Sequence, residues 1–257
     1  MKNAIFIHTA NMQHDVWGRP NKGKCQQILD RIVFFIEDSK LYENVDTINI
    51  VTVGDPNLKC TLPKVNMIYN GEDITQFEFP TLTLLYEYCK THPDDNVLYL
   101  HDHGVSLGFE HKEGARITQM YKDRLDYHLY WNITKYKESL EHLKDHDTCG
   151  AFLVPLNGEV KLDSSNMPRL ISVPETPIWH YSNNFWWSTA KHINTLPNPN
   201  DYPLILDRRH QPEFWLCSST KKGKFKCIHS IYESWCYAEN FSKELYMTEK
   251  ERIKFTL

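Results

Sequence analysis

Long apolar runs are missing from the chain. No stretch approaches the roughly 20 consecutive apolar residues that cross a bilayer, so no integral membrane segment is expected. Met1-Lys2-Asn3-Ala4-Ile5-Phe6-Ile7-His8 is too short in its apolar run for a secretory leader and meets polar residues at once. Paired cysteines are missing as well. Cys25, Cys60, Cys89, Cys149, Cys217, Cys227 and Cys236 are scattered singly, an odd number with no CxxC, which argues against a disulfide framework or a zinc ribbon and fits reduced thiols in a cytoplasmic protein. Each reads as a small buried hydrophobe. No excess of one charge sign exists: 29 Lys and Arg face 33 Asp and Glu, a net of −4. A disordered chain and a general nucleic-acid binder are both disfavoured. Nor is there an internal repeat, a low-complexity tract or a clear linker.

What remains is 257 residues of ordinary hydrophobic content, a length that one large α/β domain can occupy. In the first half, short β-branched runs alternate with helical stretches, the pattern of parallel strands joined by crossover helices. Strands are expected at Ala4–His8, Asp46–Val53, Val65–Tyr69 and Asn96–Leu100, with helices at about Cys25–Ser39 and Phe79–Thr91. The charged segment Arg116–Asp145 carries Met120, Leu125, Leu129, Ile133 and Leu140 in helical register and is expected to cross one edge of the sheet. Thr148–Pro155 returns to strand character, and a last helix is expected near Gln211–Ser219.

Three constellations can carry chemistry. His101-Asp102-His103-Gly104 follows the strand Val97-Leu98-Tyr99-Leu100, and ligands of open α/β sheets bind at the carboxyl ends of strands. Asp102 and His103 can hold Mn²⁺ or Mg²⁺ against a diphosphate; alternatively, and in preference, a histidine cation meets the diphosphate without metal. The third option is that these residues only close hydrogen bonds at a strand end. In the second constellation, His180-Tyr181-Ser182-Asn183-Asn184-Phe185-Trp186-Trp187, aromatic faces suit sugar rings and polar side chains suit hydroxyls. His180, Asn183, Asn184 and Trp186 are its candidate acceptor-binding residues, with core packing the alternative for both tryptophans. The third runs from Asp207 to Trp215. Glu213, with Pro212 ahead of it in a helix start, is a candidate general base, and Arg208 or Arg209 a phosphate clamp; a dipole-favoured helix carboxylate is the alternative for Glu213. His8, Thr9 and Asp55 follow the first two strands and flank the expected nucleotide pocket, although Gly54-Asp55-Pro56 also reads as a turn.

The segments Tyr99-Leu100-His101-Asp102-His103-Gly104-Val105-Ser106 and His180 to Trp187 resemble those of a family of small GT-A-like glycosyltransferases found in bacteria and in large DNA viruses, including those of algae. That family reads YLHTKG and then H-[FY]-S-G-N-F-W-W. Asp147-Thr148-Cys149-Gly150 is similar to its D-x-x-G strand start, and Arg209 through Trp215 to its Arg-then-Glu-x-Trp segment; Asp102-His103 stands where Thr-Lys is usual, and Asn183 where Gly is usual. The resemblance implies a single GT-A-like domain over 1–257, with a nucleotide-sugar half at about 1–110 and an acceptor half at about 111–257. It further implies transfer of a sugar, from a UDP-sugar first of all, to a hydroxyl of a glycan or glycoprotein. On that reading Glu213 and Asp102 are catalytic, and His8, Thr9, Asp55, His101, Asp102, His103 and Arg209 meet the donor. Xylose, galactose and glucose stay open. A metal-dependent hydrolase built on His101-Asp102-His103 and a non-catalytic carbohydrate-binding protein are the rival readings.

Overall fold

The computed structural model describes residues 2–14, 18, 20–21, 23–104, 115–156, 159–162, 168–172, 178–202, 208–218, 223–230 and 241–255. Met1, Val105, Ser106, Asp207, Ser219 and Cys236, named above, lie outside the described residues. The strands are β1 (Asn3–Asn11), β2 (Thr47–Gly54), β3 (Val65–Tyr69), β4 (Asn96–His101), β5 (Thr148–Ala151), β6 (Leu153–Leu156), β7 (Glu159–Leu162), β8 (Pro168–Ser172), β9 (Ile178–Tyr181), β10 (Trp186–Thr189) and β11 (Phe225–His229). The helices are α1 (Lys24–Asp38), α2 (Phe79–Thr91), α3 (Ala115–Leu129), α4 (Tyr136–His142), α5 (Ala190–Ile193), α6 (Gln211–Trp215) and α7 (Glu249–Phe255).

Seven strands make one sheet in the order β11-β5-β10-β4-β1-β2-β3. β1 pairs in parallel with β2 and β4, β2 with β3, and β5 with β11, while β10 runs antiparallel between β4 and β5. The architecture is α/β, a mixed and mostly parallel sheet flanked by helices. Alternation along β1 explains why both faces are covered. Ile5 and Ile7 join the cluster formed with Ile28, Leu29, Ile32 and Phe35 of α1, whereas Ala4 and Phe6 join Leu82, Leu85 and Cys89 of α2. A strand buried on two sides must be apolar at every position, and Ala4 to Ile7 are all 0% exposed. Where β1 and β2 end, a Cβ on Gly54 would stand 2.5 Å from the Asn11 carbonyl oxygen, and its φ of +91° lies in glycine territory.

The charged segment after residue 115 lies on a face of the sheet and not across its edge. Leu125, Leu129, Tyr130 and Ile133 share the cluster that holds α1, Leu98 and Trp187. Between α3 and α4 the helix widens into a π turn at Tyr130–Thr134, where the Lys135 amide donates to the Tyr130 carbonyl at 3.0 Å. The loosened backbone is used: the Trp187 indole donates to the Asn132 carbonyl at 2.8 Å.

Two further expectations change. Thr148–Pro155 is split by Phe152, whose φ of +60° turns the chain from β5 in the main sheet to β6, which pairs with β9. The last helix is shorter, Gln211–Trp215 in place of Gln211–Ser219.

Candidate functional site

At the carboxyl ends of β1 and β4 lies a cavity of about 330 Å³ whose walls include His8, Glu78, His101, Asp102, His103, Arg124, Asn183, Arg209 and Glu213. Crossover connections leave this end of a parallel sheet open, which is why ligand pockets form here. His8 comes from β1, His101 to His103 from the end of β4, Asn183 from the turn between β9 and β10, and Glu213 from α6. An apolar side is supplied by Ala10, Met12, Ile74 and Phe77.

Asp102 forms the floor. Its Oδ2 accepts the Ala10 amide at 2.6 Å and the Cys25 thiol at 3.2 Å. Burial lifts its carboxyl to about 7 against the pull of these donors, and raises the Cys25 thiol as well, so that the thiol stays protonated and keeps donating. His8 donates or accepts at Thr81 Oγ1, 2.9 Å away, and burial, with the nearby His101, lowers its ring to about 3. His103 is held well below the usual imidazole range by burial and by His101 and Arg124. Its Nε2 has no hydrogen-bond partner among the described residues. His128, behind it, is lowered by burial and by Arg124. An anion bound among these rings would oppose this lowering by sharing their charge.

Glu213 forms part of the wall. Burial and the charge of Glu78 push its carboxyl up to about 8, opposed by an Asn183 backbone contact, Arg209 and Arg124. A carboxyl tuned toward neutrality in a cleft is suited to exchange protons with a ligand.

The turn between β9 and β10 is built by two consecutive left-handed residues, Asn183 at φ +63° and Asn184 at φ +56°. Asparagine tolerates this region better than other side chains that carry a Cβ. The outcome is positional. The Asn183 carbonyl accepts from His101 Nε2 at 2.6 Å, and its side-chain amide lies 3.0 Å from His128 Nε2. Asn184 bridges Trp186 and Glu78: the Trp186 indole donates to its Oδ1 at 2.7 Å, and its Nδ2 donates to Glu78 Oε2 at 2.6 Å.

Not every candidate meets the cavity. Trp186 is 1% exposed and stacks on Tyr99 at 5.1 Å, so it is core and offers no face to an acceptor. Thr9 points to the other side of β1, its hydroxyl 2.8 Å from that of Thr52. Asp55 closes a turn on the Asn57 amide at 2.8 Å and is half-buried outside the cavity lining. His180 is fully buried against Phe214, outside the cavity lining, with its ring lowered by burial to about 4. Arg208 lies over the Phe79 ring. Among the described residues no group of three or more His, Cys, Asp or Glu is arranged to hold an ion, and Asp102 Oδ2 is already shared by two donors.

Two residues of the site escape a reading of the sequence alone. Glu78 precedes Phe79-Pro80 and signals only a helix start; its carboxylate caps nothing in α2 and turns to Tyr99, Asn184 and His101. Arg124 sits in a heavily charged helix that looks like a solvated face, yet it is 3% exposed.

A family model matches residues 24–167, just over half of the chain. The chain belongs to the family described as domain of unknown function DUF8361. The matched part of this DUF8361 chain holds Glu78, His101, Asp102, His103 and Arg124, while His8, Asn183, Arg209 and Glu213 lie outside it. No curated protein matches the sequence. Among solved structures, the chain is similar to HddC from Yersinia pseudotuberculosis, at 14% identity and TM-score 0.40, covering 90% of this chain and 91% of that one. It is similar also to 4-diphosphocytidyl-2C-methyl-D-erythritol synthase from Anaerococcus prevotii DSM 20548, at 11% identity and TM-score 0.40 with 98% of each chain covered. A third is CMP:2-keto-3-deoxy-manno-octonic acid synthetase complexed with CTP, at 11% identity, TM-score 0.40 and 90% coverage of each chain. Among the described residues no helix is long and apolar enough to cross a membrane.

Proposed function

We propose that this DUF8361 protein is a GT-A-like glycosyltransferase that moves a sugar from a nucleotide-sugar donor, a UDP-sugar first of all, to a hydroxyl of a glycan acceptor. The observation that carries the reading is the convergence of Glu213 with His101, His103, Arg124 and Arg209 in one cavity at the carboxyl ends of β1 and β4. The two arginines and a carboxyl pushed up to about 8 are the two kinds of group such a transfer uses. The sequence resemblance, which spans the His101 and Asn183 segments, supports the same reading independently.

In this reading Arg124, Arg209 and His103 draw in the diphosphate, and charge–charge contacts of this kind are strong in a cavity shielded from water. If the anomeric centre inverts, the ionised Glu213 takes the proton of the acceptor hydroxyl as its oxygen bonds to the anomeric carbon. The bond from that carbon to the diphosphate breaks, and the nucleoside diphosphate leaves with the electron pair. Asp102 acts beneath this chemistry by holding the Ala10 backbone and, through it, the end of β1. The cations lining the cavity support action without a divalent metal, with Mn²⁺ dependence as the alternative.

A calorimetric and thermal-shift screen against UDP-, GDP- and dTDP-sugars, each with and without Mn²⁺, tests the proposal, since a specific ligand stabilises the fold by mass action. Stabilisation by one nucleotide class supports the reading, and its response to Mn²⁺ settles the metal. No response to any of them rejects it.

A further inference from the structure

Glu78 is a nearly covered carboxyl whose two oxygens are used unequally. Oε2 accepts twice, from the Tyr99 hydroxyl at 2.6 Å and from Asn184 Nδ2 at 2.6 Å. Oε1 has no hydrogen bond among the described residues, and stands 3.9 Å from His101 Nδ1, with the Glu78 and His101 side chains nearly covered at 14% and 13% exposure. The orientation of Asn184 is not arbitrary. An indole N–H can only donate, so the Trp186 contact fixes Asn184 Oδ1 toward the indole and its amide hydrogens toward Glu78.

The same argument fixes His101. Its Nε2 lies 2.6 Å from the Asn183 carbonyl oxygen, which can only accept. Nε2 therefore carries a hydrogen, and in the neutral ring Nδ1 keeps its lone pair. Two acceptors 3.9 Å apart thus border the cavity. A gap of that width is too long for a direct hydrogen bond and wide enough for an intervening hydroxyl group. It also repels phosphate oxygens, which have no hydrogen to give.

We propose that Glu78 Oε1 and His101 Nδ1 together read two adjacent hydroxyls on the sugar ring of the donor, making Glu78 a specificity-determining residue. The inference rests on the nucleotide-sugar reading above and deepens it: sugar at Glu78 and His101, phosphates at Arg124, Arg209 and His103. A site that offers acceptors to hydroxyls discriminates strongly against ligands that lack them, because its own polar groups are then left unpaired.

Glu78→Gln tests this directly. The two donors from Tyr99 and Asn184 demand an oxygen at the Oε2 position, so the glutamine amide nitrogen falls at Oε1 and replaces the free acceptor with a donor. The fold and the Tyr99 contact are kept. The affinities of UDP-glucose, UDP-galactose, UDP-xylose and UDP are measured by calorimetry for wild type and Glu78→Gln. For any of the three sugars that binds wild type, we expect a loss of roughly 10- to 100-fold, as for a hydrogen bond to a charged group, with UDP affinity unchanged. Equal losses for UDP and UDP-sugar, or no loss for either, overturn the assignment and leave the functional reading standing. A wild-type protein that binds neither UDP nor a UDP-sugar, at a melting temperature that shows it folded, overturns this assignment together with the choice of uridine donor.

Discussion

On the floor of the cavity, Asp102 is held by a backbone amide and a thiol, both contributed by the protein's own fold. On the wall, Glu213 is surrounded by Glu78, Arg209 and Arg124, charged groups that face the same space. Burial lifts both carboxyls, to about 7 and about 8. Nearly equal proton affinities therefore arise in two residues with different tasks. The difference lies in the balance of partners: the donors to Asp102 are main chain and a buried thiol, whereas Glu213, beside one backbone contact from Asn183, has three charged side chains of the cavity as neighbours.

Removing the wall carboxyl is the harshest way to test that contrast. Glu213→Gln is expected to slow transfer by about 10²- to 10⁴-fold, the range for a lost general base, while donor affinity changes little and the urea midpoint at about pH 4, where the wild-type carboxyl is neutral, stays within the error of wild type. Equal losses of transfer and donor affinity would return Glu213 to the fold. Asp102→Ala is expected to do the reverse, destabilising the protein by about 2–4 kcal/mol because it leaves the Ala10 amide and Cys25 thiol without an acceptor and opens a small cavity. If its denaturant midpoint matches wild type, the floor is not structural and the comparison fails.

The proton affinities give a third test. Asp102 and Glu213 hold in the fold protons that the unfolded chain releases near its ordinary carboxyl range, so the stability they contribute is complete below about pH 4 and is lost as pH rises through about 7 and 8. A urea midpoint that falls between pH 5 and pH 9, and falls less in the double variant Asp102→Asn, Glu213→Gln, is the expected result. Transfer should move the opposite way, rising through about pH 8 as Glu213 ionises. His8 and His180 work on the acid side: lowered to about 3 and about 4, they weaken the fold as pH drops below their ordinary value. Smallest of all is Cys25→Ser, which keeps a donor to Asp102 and should cost under about 1 kcal/mol; a larger loss would show that the thiol's packing matters more than its hydrogen bond.

The first half of the fold was legible because each of its elements has one period and one job. Val65–Tyr69 and Phe79–Thr91 fall where patterning places them, and β1, α1, β2 and β4 differ by a few residues at their ends. The strand end at His101 was legible too, since a polar cluster after a fully buried run must face something. Further on, tertiary contacts decide. Trp186 reads equally as a sugar-stacking face and as core; it and Trp187 form β10, inserted between β4 and β5, where neither face meets solvent. No local signal separates an aromatic pair in a core strand from one in a cleft. Glu78 and Arg124 were hidden for the opposite reason, as charged residues in helical contexts where solvent exposure is the ordinary fate, and only the docking of α2 and α3 on the sheet shows otherwise.

The π turn at Tyr130–Thr134 sets the phase between two stretches of one long helix. Each residue of an α-helix advances the side chain by about 100°, and the extra residue taken up in a π turn shifts the two stretches against each other by about that angle. Upstream, the helix brings Arg124 to the cavity; downstream, it brings Tyr136 into the core against α1. A chain shorter by one residue here would keep a regular helix, bury Tyr136 as before, and swing Arg124 and His128 away from the mouth of the sheet. The count of residues between Leu129 and Lys135 thus fixes the aim of the site as firmly as the identity of any residue within it.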